Sequence, residues 1–343
     1  LLSRGLGDVY KRQVLTGITT TGTPHLGNYV GAIKPCIEAS HEEDVNSYYF
    51  LADYHSLVKN RDPEKVSQST LEIAATWLAL GLDTGKAAFY RQSDIPEIPE
   101  LTWIITCSTA KGLMNRSHAY KAVVQENAAA GEDPDFGINM GLFSYPILMA
   151  ADILMFGSTH VPVGKDQIQH LEMARDIAQR FNHHYGEILV IPEAVTSEHV
   201  AVLPGKDGRK MSKSYNNTIP LWLPEKQLRK AIMRIVTNSL EPGEPKDPDD
   251  STLFSIYAAF ANDEQRAEMR QAYADGIAWG QAKQQAFELI NGELGDSRER
   301  YEQLVAHPAR IEEILVEGAA KAREFATPYL ARIREAVGLK SLV

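Results

Sequence analysis

Cysteine is scarce in this 343-residue chain, which contains only Cys36 and Cys107. Two cysteines are too few for a disulfide framework and too far apart for the spacing of a zinc site. Long apolar runs are also lacking, because the run at residues 147–156 is interrupted by Asp152 and is shorter than the roughly 20 residues that a membrane-spanning helix needs. The sequence therefore predicts a protein of the reducing cytoplasm with no membrane segment.

Positive charge is in short supply as well. The 35 Lys and Arg against 45 Asp and Glu give a formal net charge of −10, which excludes a chain-wide basic field for nucleic acid. One region departs from this balance, since residues 204–234 contain eight basic side chains and only two acidic ones. This basic band consists of Lys206, Arg209, Lys210, Lys213, Lys226, Arg229, Lys230 and Arg234. A solvated face is the common explanation of such a cluster, and binding of RNA or of a nucleotide is the alternative.

The remaining composition, with 44% hydrophobic and 23% charged residues, is that of an ordinary globular protein, and the length suggests two domains. Residues 1–13 contain no initiator Met and no apolar signal core. We expect this segment to be a tag, a fragment end or an assembly scar, so the fold prediction begins at residue 14.

Short β-rich runs alternate with helical periods through the first two thirds of the chain. This alternation predicts a doubly wound parallel sheet in a Rossmann-type catalytic domain at residues 14–204. The predicted strands are 14–18, 48–52, 88–91, 161–163 and 188–191, and the predicted helices are 25–40, 63–80, 145–156 and 166–181. Thr23 is the expected N-cap of the first helix, with Pro24 at its first position. A loop and domain junction follows at 205–224. An α-helical domain, with helical periodicity at 225–236 and 253–338, completes the chain to residue 343, and its last helix is free to pack back on the catalytic domain.

The first chemical motif is His25-Leu26-Gly27-Asn28, directly after the first strand. Free backbone N–H groups and the positive end of a helix attract an anion at such a position, and glycine allows close approach. A helix start with a surface histidine is the alternative interpretation.

The second motif is Lys210-Met211-Ser212-Lys213-Ser214, downstream of Gly205 and Gly208. Two ammonium groups three residues apart, on a loop that we expect these glycines to make mobile, can close over a triphosphate and stabilise departing pyrophosphate. A solvated basic loop is the alternative.

Together the two motifs resemble the HIGH and KMSKS signatures of class I aminoacyl-tRNA synthetases. Further segments are similar to the bacterial tryptophanyl type, namely Gly17-Ile18, Asp53 with His55, residues 149–153, residues 161–167 and Lys246-Asp247-Pro248. The similarity extends from Val14 to the C-terminus.

This resemblance implies activation of L-tryptophan by ATP with Mg2+, transfer to tRNA(Trp), a homodimer, and a helical domain that binds the anticodon. It implies catalytic roles for His25, Asn28, Lys210 and Lys213, with charge neutralisation by His25, the two lysines and Mg2+. ATP contacts would come from Thr19, Gly27, Asn28, Gly164, Asp166, Lys210, Met211, Ser212, Lys213 and Ser214. Tryptophan contacts would come from Leu15, His55, Met149, Asp152, Val161, Val163 and Gln167. No side chain is assigned to a metal ion or to a general base.

The predicted amino-acid pocket centres on Asp152, a carboxylate in an apolar segment. A buried carboxylate must accept hydrogen bonds, and an indole N–H is a donor without acceptor capacity, so the two are natural partners. Met149 and Phe156 lie at helical spacing from Asp152, on the same face, and we expect them to form apolar walls. An Asp paired with an Arg or a backbone donor, beside a Met in ordinary core packing, is the alternative.

Three positions depart from the family pattern, which commonly has Gln-Pro at Thr19-Thr20, an aromatic residue at Leu15 and an acidic residue at Lys165. Two rival functions are open at this point. A small-molecule nucleotidylyltransferase shares the helix-start motif but does not need a long helical domain, and a non-catalytic paralogue does not need intact signatures.

Overall fold

The computed structural model describes residues 12–20, 22–42, 45–162, 167–195 and 202–340. The strands in this part of the chain are β1 (Arg12–Ile18), β2 (Val45–Leu51), β3 (Ala88–Arg91), β4 (His160–Pro162) and β5 (Glu193–Val195). The helices are α1 (Leu26–Asn28), α2 (Lys34–Ser40), α3 (Asp53–Ser56), α4 (Pro63–Ala79), α5 (Glu97–Ser108), α6 (Lys111–Met114), α7 (His118–Ala130), α8 (Met140–Met155), α9 (Ile168–Tyr185), α10 (Glu225–Met233), α11 (Thr252–Ala258), α12 (Asp263–Ala274), α13 (Trp279–Ala306) and α14 (Pro308–Ala336). A π-helical turn, Tyr29–Ile33, joins α1 to α2, and 3-10 turns cover Gln92–Asp94 and Lys213–Tyr215.

The five strands form one parallel sheet in the order β3-β2-β1-β4-β5. The chain starts in the middle at β1, builds outward to β3, and then returns to the other side of β1 with β4 and β5. The strand order reverses between β1 and β4, and ligands of doubly wound sheets bind beyond the carboxyl ends of the strands at such a point. The sheet therefore predicts where the active site lies.

Strand residues alternate between two apolar cores, one on each face of the sheet. Tyr49 and Leu51 of β2 pack on the side of α4, whereas Tyr48 and Phe50 pack on the side of α5, α8 and α9. This period of two is the ordinary consequence of strand geometry, and burial of both faces explains the nearly continuous apolar sequence of β2.

Helix α14 packs across the outer strand β3. Its residue Gly318 lies against the backbone of Phe89 so closely that a Cβ atom would overlap the carbonyl group. Leu315, on one side of this contact, packs in the core that contains Tyr49. Ala322, on the other side, packs in the core that contains Tyr48, so the helix passes over the edge of the sheet.

The predicted fold class is confirmed, and two of the local predictions are wrong. The first helix is capped by His25 and not by Thr23, so Pro24 precedes the cap. Residues 188–191 are not a strand, because the Asn182 side chain bonds the backbone of Leu189 at both its N–H (2.9 Å) and its carbonyl (2.8 Å). Pairing with the sheet resumes only at Glu193. The boundaries proposed between domains stay predictions.

None of the helices in the described ranges combines the length and the apolar character that crossing a bilayer requires.

Candidate active site

Several candidate site residues lie just after the carboxyl ends of the strands, at one edge of the sheet. The turn after β1 leads to His25, α3 after β2 carries His55, and the 3-10 turn after β3 begins with Gln92. Parallel strands bring their carboxyl ends to one edge, so residues far apart in sequence become neighbours there.

The turn after β1 is held by a reciprocal cap between His25 and Asn28. The backbone N–H of Asn28 donates to His25 Nδ1 (3.2 Å), and the backbone N–H of His25 donates to Asn28 Oδ1 (3.1 Å). Because Nδ1 accepts this bond, the ring proton of the neutral imidazole is on Nε2. The pair thus fixes both the turn and the tautomer.

Burial, together with the positive charge of Lys213, lowers the pKa of His25 to about 4. The ring is therefore neutral near pH 7 in this arrangement, and its part in neutralising phosphate charge stays a prediction. Its Nε2–H is available as a hydrogen-bond donor.

The Lys-Met-Ser-Lys-Ser loop contacts this turn directly. The Met211 side chain is 4% exposed, and its Sδ accepts the backbone N–H of Gly27 at 3.4 Å. Lys213 reaches the same region, since its Nζ would lie 2.9 Å from a Cβ atom placed on Gly22. Burial lowers the pKa of Lys213 from the usual range of lysine. The structure therefore brings both motifs together through Met211 and Lys213.

Gly205 and Gly208 have different structural roles at the base of the loop. Gly205 is buried where a Cβ atom would overlap the Asn217 side chain, so it is required for close packing. Gly208 has a positive φ of 83° in the turn that precedes Lys210. These contacts hold the base of the loop, and the mobility expected from the sequence stays a prediction.

The other described residues predicted to contact ATP lie at the end of β1 and on the loop motif. Thr19 is exposed directly after β1, and Lys210 is exposed at the start of the loop motif. Ser212 accepts the backbone N–H of Ser214 at 3.3 Å, which caps the 3-10 turn that carries Lys213. Gly164 and Asp166, with Lys165, lie outside the described residues, as does Val163 of the predicted tryptophan set.

Asp152 is 1% exposed, and its hydrogen-bond partners among the described residues are His55 and Gln92, not an arginine. Its Oδ2 is 2.9 Å from His55 Nε2, and the Gln92 amide donates to Oδ1 at 2.8 Å and to Oδ2 at 2.9 Å. Burial raises the pKa of Asp152, and the hydrogen bonds from His55 and Gln92 oppose that rise. Asp152 and His55 are thus brought together as the sequence predicted.

Gln92 was not predicted from the sequence, although a polar residue directly after a buried strand at the carboxyl edge was a usable signal. It is fully buried, and its Oε1 has no hydrogen-bond partner among the described residues. The Tyr90 hydroxyl has none there either. Burial and the nearby Asp152 raise the pKa of Tyr90 well above its usual value. Unfilled hydrogen-bonding capacity around a buried carboxylate is what a binding site for a polar group requires.

Leu15, Val161 and Met149 pack in the same apolar cluster as the chain around Asp152, and their role as walls of the tryptophan pocket stays a prediction. Phe156 is fully buried and stacks on Tyr48 with ring centroids 4.6 Å apart, so it packs in this core.

Tyr145 was also missed by the sequence analysis. Its ring lies edge-on to His55 at 6.3 Å, and its hydroxyl is 2.6 Å from His170 Nε2. Gln167 stands at the N-cap of α9.

Among the described residues, no group of three or more His, Cys, Asp or Glu side chains could hold a metal ion. The two motifs predicted to bind ATP consist mainly of His, Asn, Lys and Ser. These side chains do not supply the carboxylate oxygens that Mg2+ prefers from a protein.

Comparison with known proteins agrees with this geometry. The family model for class I tRNA synthetases of the W and Y type matches residues 10–295. The tryptophan–tRNA ligase of Pseudomonas aeruginosa is 65% identical over 333 residues, which are 96% of this chain and 74% of that protein. The tryptophan–tRNA ligase of Neisseria meningitidis serogroup A is 60% identical and covers 97% of this chain and 99% of its own length.

Among solved structures, the tryptophanyl-tRNA synthetase of Campylobacter jejuni, crystallised with ADP and tryptophan, superimposes with a TM-score of 0.85. It is 44% identical, and the match covers 95% of this chain and 99% of that one. The chain therefore belongs to the class I tRNA synthetases for tryptophan and tyrosine, and within them to the bacterial tryptophan–tRNA ligases.

Proposed function

We propose that this chain activates L-tryptophan with ATP and transfers the activated amino acid to tRNA(Trp). The observation that carries the proposal is the buried Asp152 carboxylate at the same sheet edge as the two ATP motifs. A carboxylate has about four acceptor positions, and three are taken by Gln92 and His55. The position left on Oδ1 suits a single donor with no acceptor capacity, which describes the indole N–H.

In the first step, a tryptophan carboxylate oxygen attacks the α-phosphorus of ATP, and the bond to the bridging oxygen of pyrophosphate breaks. In the second step, a hydroxyl of the terminal ribose of the tRNA attacks the acyl carbon, and AMP leaves. Neither step needs a covalent bond to the enzyme, so positioning and electrostatic stabilisation supply the acceleration.

The site residues divide this work by their chemistry. The neutral His25 ring offers an Nε2–H to a phosphate oxygen without adding charge, while Lys213 and Lys210 supply the positive charge that departing pyrophosphate requires. Asn28 holds His25 in place through the reciprocal cap. We include Mg2+ as the ion that accompanies ATP, held mainly by phosphates and water.

For the tRNA, we propose that the basic band contributes phosphate contacts. Arg229 and Lys230 lie on the exposed face of α10, whose opposite face buries Leu228 and Ile232. A surface of this kind binds a polyanion through release of counterions. Contact between the helical domain and the anticodon remains a proposal from the family resemblance.

We further propose that the chain acts in the cytoplasm as a homodimer. Trp103 on α5 is 69% exposed, and a second copy of the chain is one surface that would cover it. Light scattering after size exclusion gives the mass of the particle, and a monomer at micromolar concentration would contradict this part of the proposal.

The deciding experiment is exchange of labelled pyrophosphate into ATP with each of the twenty amino acids in turn. Exchange that depends on tryptophan supports the proposal, and charging of tRNA(Trp) then tests the second step. A nucleotidylyltransferase would exchange pyrophosphate only with its own acceptor and with none of the amino acids, and a non-catalytic paralogue would show no exchange at all. Either result would overturn the proposed function.

A further inference from the structure

Asn217 is a buried residue directly behind the Lys-Met-Ser-Lys-Ser loop, with 2% of its surface exposed. Its Oδ1 accepts the backbone N–H of Ser212 at 2.9 Å. Its Nδ2 donates to the carbonyls of Lys210 (3.1 Å) and Arg209 (3.3 Å) and to the Asp207 carboxylate (2.7 Å). One amide side chain therefore bonds the loop at four points.

The chain just after Asn217 is fixed to the start of the first helix. The backbone N–H of Leu26 donates to the carbonyl of Ile219 (3.0 Å), and the backbone N–H of Leu221 donates to the carbonyl of Pro24 (2.9 Å). Asn217 thus links the loop that carries the lysines to the turn after β1, where Pro24 and Leu26 make these bonds.

The bonds to Lys210 and Ser212 hold the two peptide groups on either side of Met211. Met211 is the residue whose sulfur contacts the Gly27 N–H. We propose that Asn217 is a positioning residue for adenylate formation, which sets the height of this loop over the ATP phosphates by holding those two peptides. The inference rests on the proposed function of the two motifs.

Two neighbouring residues are arranged around the Asn217 side chain. Gly205 leaves the space that the amide fills, since a Cβ atom there would overlap the side chain. Asp207 accepts from Asn217, and this hydrogen bond, with that from Arg209, holds the pKa of the Asp207 carboxyl at about 2. The loop is built so that an amide, with one acceptor and two donor hydrogens, is the group that fits.

The first test compares Asn217→Ala with the parent. We expect the single-turnover rate of adenylate formation to fall by at least about tenfold, as for the loss of several hydrogen bonds at a buried site, with a higher KM for ATP and tryptophan affinity within about twofold of the parent. Hydrogen exchange at the Ser212 amide should become faster without any substrate, because its acceptor is gone. Asn216→Gly is the matched control, because Asn216 is the exposed neighbour with a positive φ of 51° that glycine adopts without strain.

The second test uses charge. Asn217→Asp places a second carboxylate against Asp207, and two such groups ionise together only at a cost, so one proton is shared as the pH falls. The rate of Asn217→Asp relative to the parent should therefore rise as the pH is lowered from 8 to 6. Adding Asp207→Asn should restore a donor and remove that pH dependence.

Failure of the positioning role of Asn217 and failure of the proposed tryptophan activation give different results. A parent protein without tryptophan-dependent exchange overturns the proposed function. An active parent whose Asn217→Ala variant matches it in rate and in Ser212 exchange overturns the positioning role alone. A variant that loses tryptophan affinity as much as ATP affinity also overturns it, since that result means general disruption of the fold.

Discussion

Replacing Asp152 with alanine tests which amino acid the pocket selects. A hydrophobic slot accepts any flat ring of suitable size, whereas a fixed acceptor penalises a ring that cannot donate to it. The Asp152→Ala change removes the acceptor from a position that is 1% exposed. A hydrogen bond to a charged group is worth about 1.5 to 3 kcal/mol, so kcat/KM for tryptophan should fall about ten- to a hundredfold.

The same change also leaves the Gln92 amide and the His55 ring without their acceptor, which costs about 1 to 3 kcal/mol for each unsatisfied group. Part of that cost is offset, because the pKa of Asp152 is raised by burial and an unfavourable buried charge disappears with it. A tryptophan analogue methylated at the indole nitrogen separates the two effects. Loss of stability lowers activity with both ligands, and loss of the acceptor affects only the ligand that donates.

The assay is kcat/KM for tryptophan and for the methylated analogue, on the parent and on Asp152→Ala, with unfolding monitored in parallel. The preference for tryptophan should collapse in the variant. Met149→Leu is the control, because a change of nearly equal volume in the apolar wall should affect both ligands alike. Equal losses for the two ligands in Asp152→Ala would refute the reasoning and assign Asp152 to the fold.

Three further predictions follow from the same geometry. Lys213→Ala should slow adenylate formation by about a hundred- to a thousandfold, the scale of one lost transition-state contact, with little change in tryptophan binding; equal single-turnover rates would contradict the role of Lys213. The double change Arg229→Ala with Lys230→Ala should reduce the slope of log tRNA affinity against log salt by about one unit or more, while adenylate formation survives; an unchanged slope would make both residues ordinary surface. Tryptophan affinity should fall as the pH falls through the raised pKa of Asp152, because the protonated carboxyl loses acceptor capacity; calorimetry across this range should show the effect in the parent and not in Asp152→Asn.

The sequence was informative wherever local pattern decides structure. The alternation of short β-rich runs with helical segments predicted β1 to β4. The five-residue motif at 210–214 predicted the loop residues that approach the turn after β1. The sequence was less informative where one side chain takes over backbone hydrogen bonds. Asn182 replaces a strand pairing, His25 replaces Thr23 as the cap, and Asn217 bonds the backbone of the loop that carries the lysines. Gln92 belongs with these, because its partner Asp152 is 60 residues away in sequence.

The packing of Gly318 against Phe89 has a consequence for the order of folding during synthesis. Strand β3 is complete at Arg91, but the helix that crosses it is made more than two hundred residues later. Translation adds about 5 to 20 residues per second, so the edge strand β3 stays exposed for roughly 10 to 50 s before α14 is synthesised. An uncovered strand edge is a template for pairing with other chains. Nascent chains stalled before α14 should therefore aggregate or bind chaperones more than chains released after it.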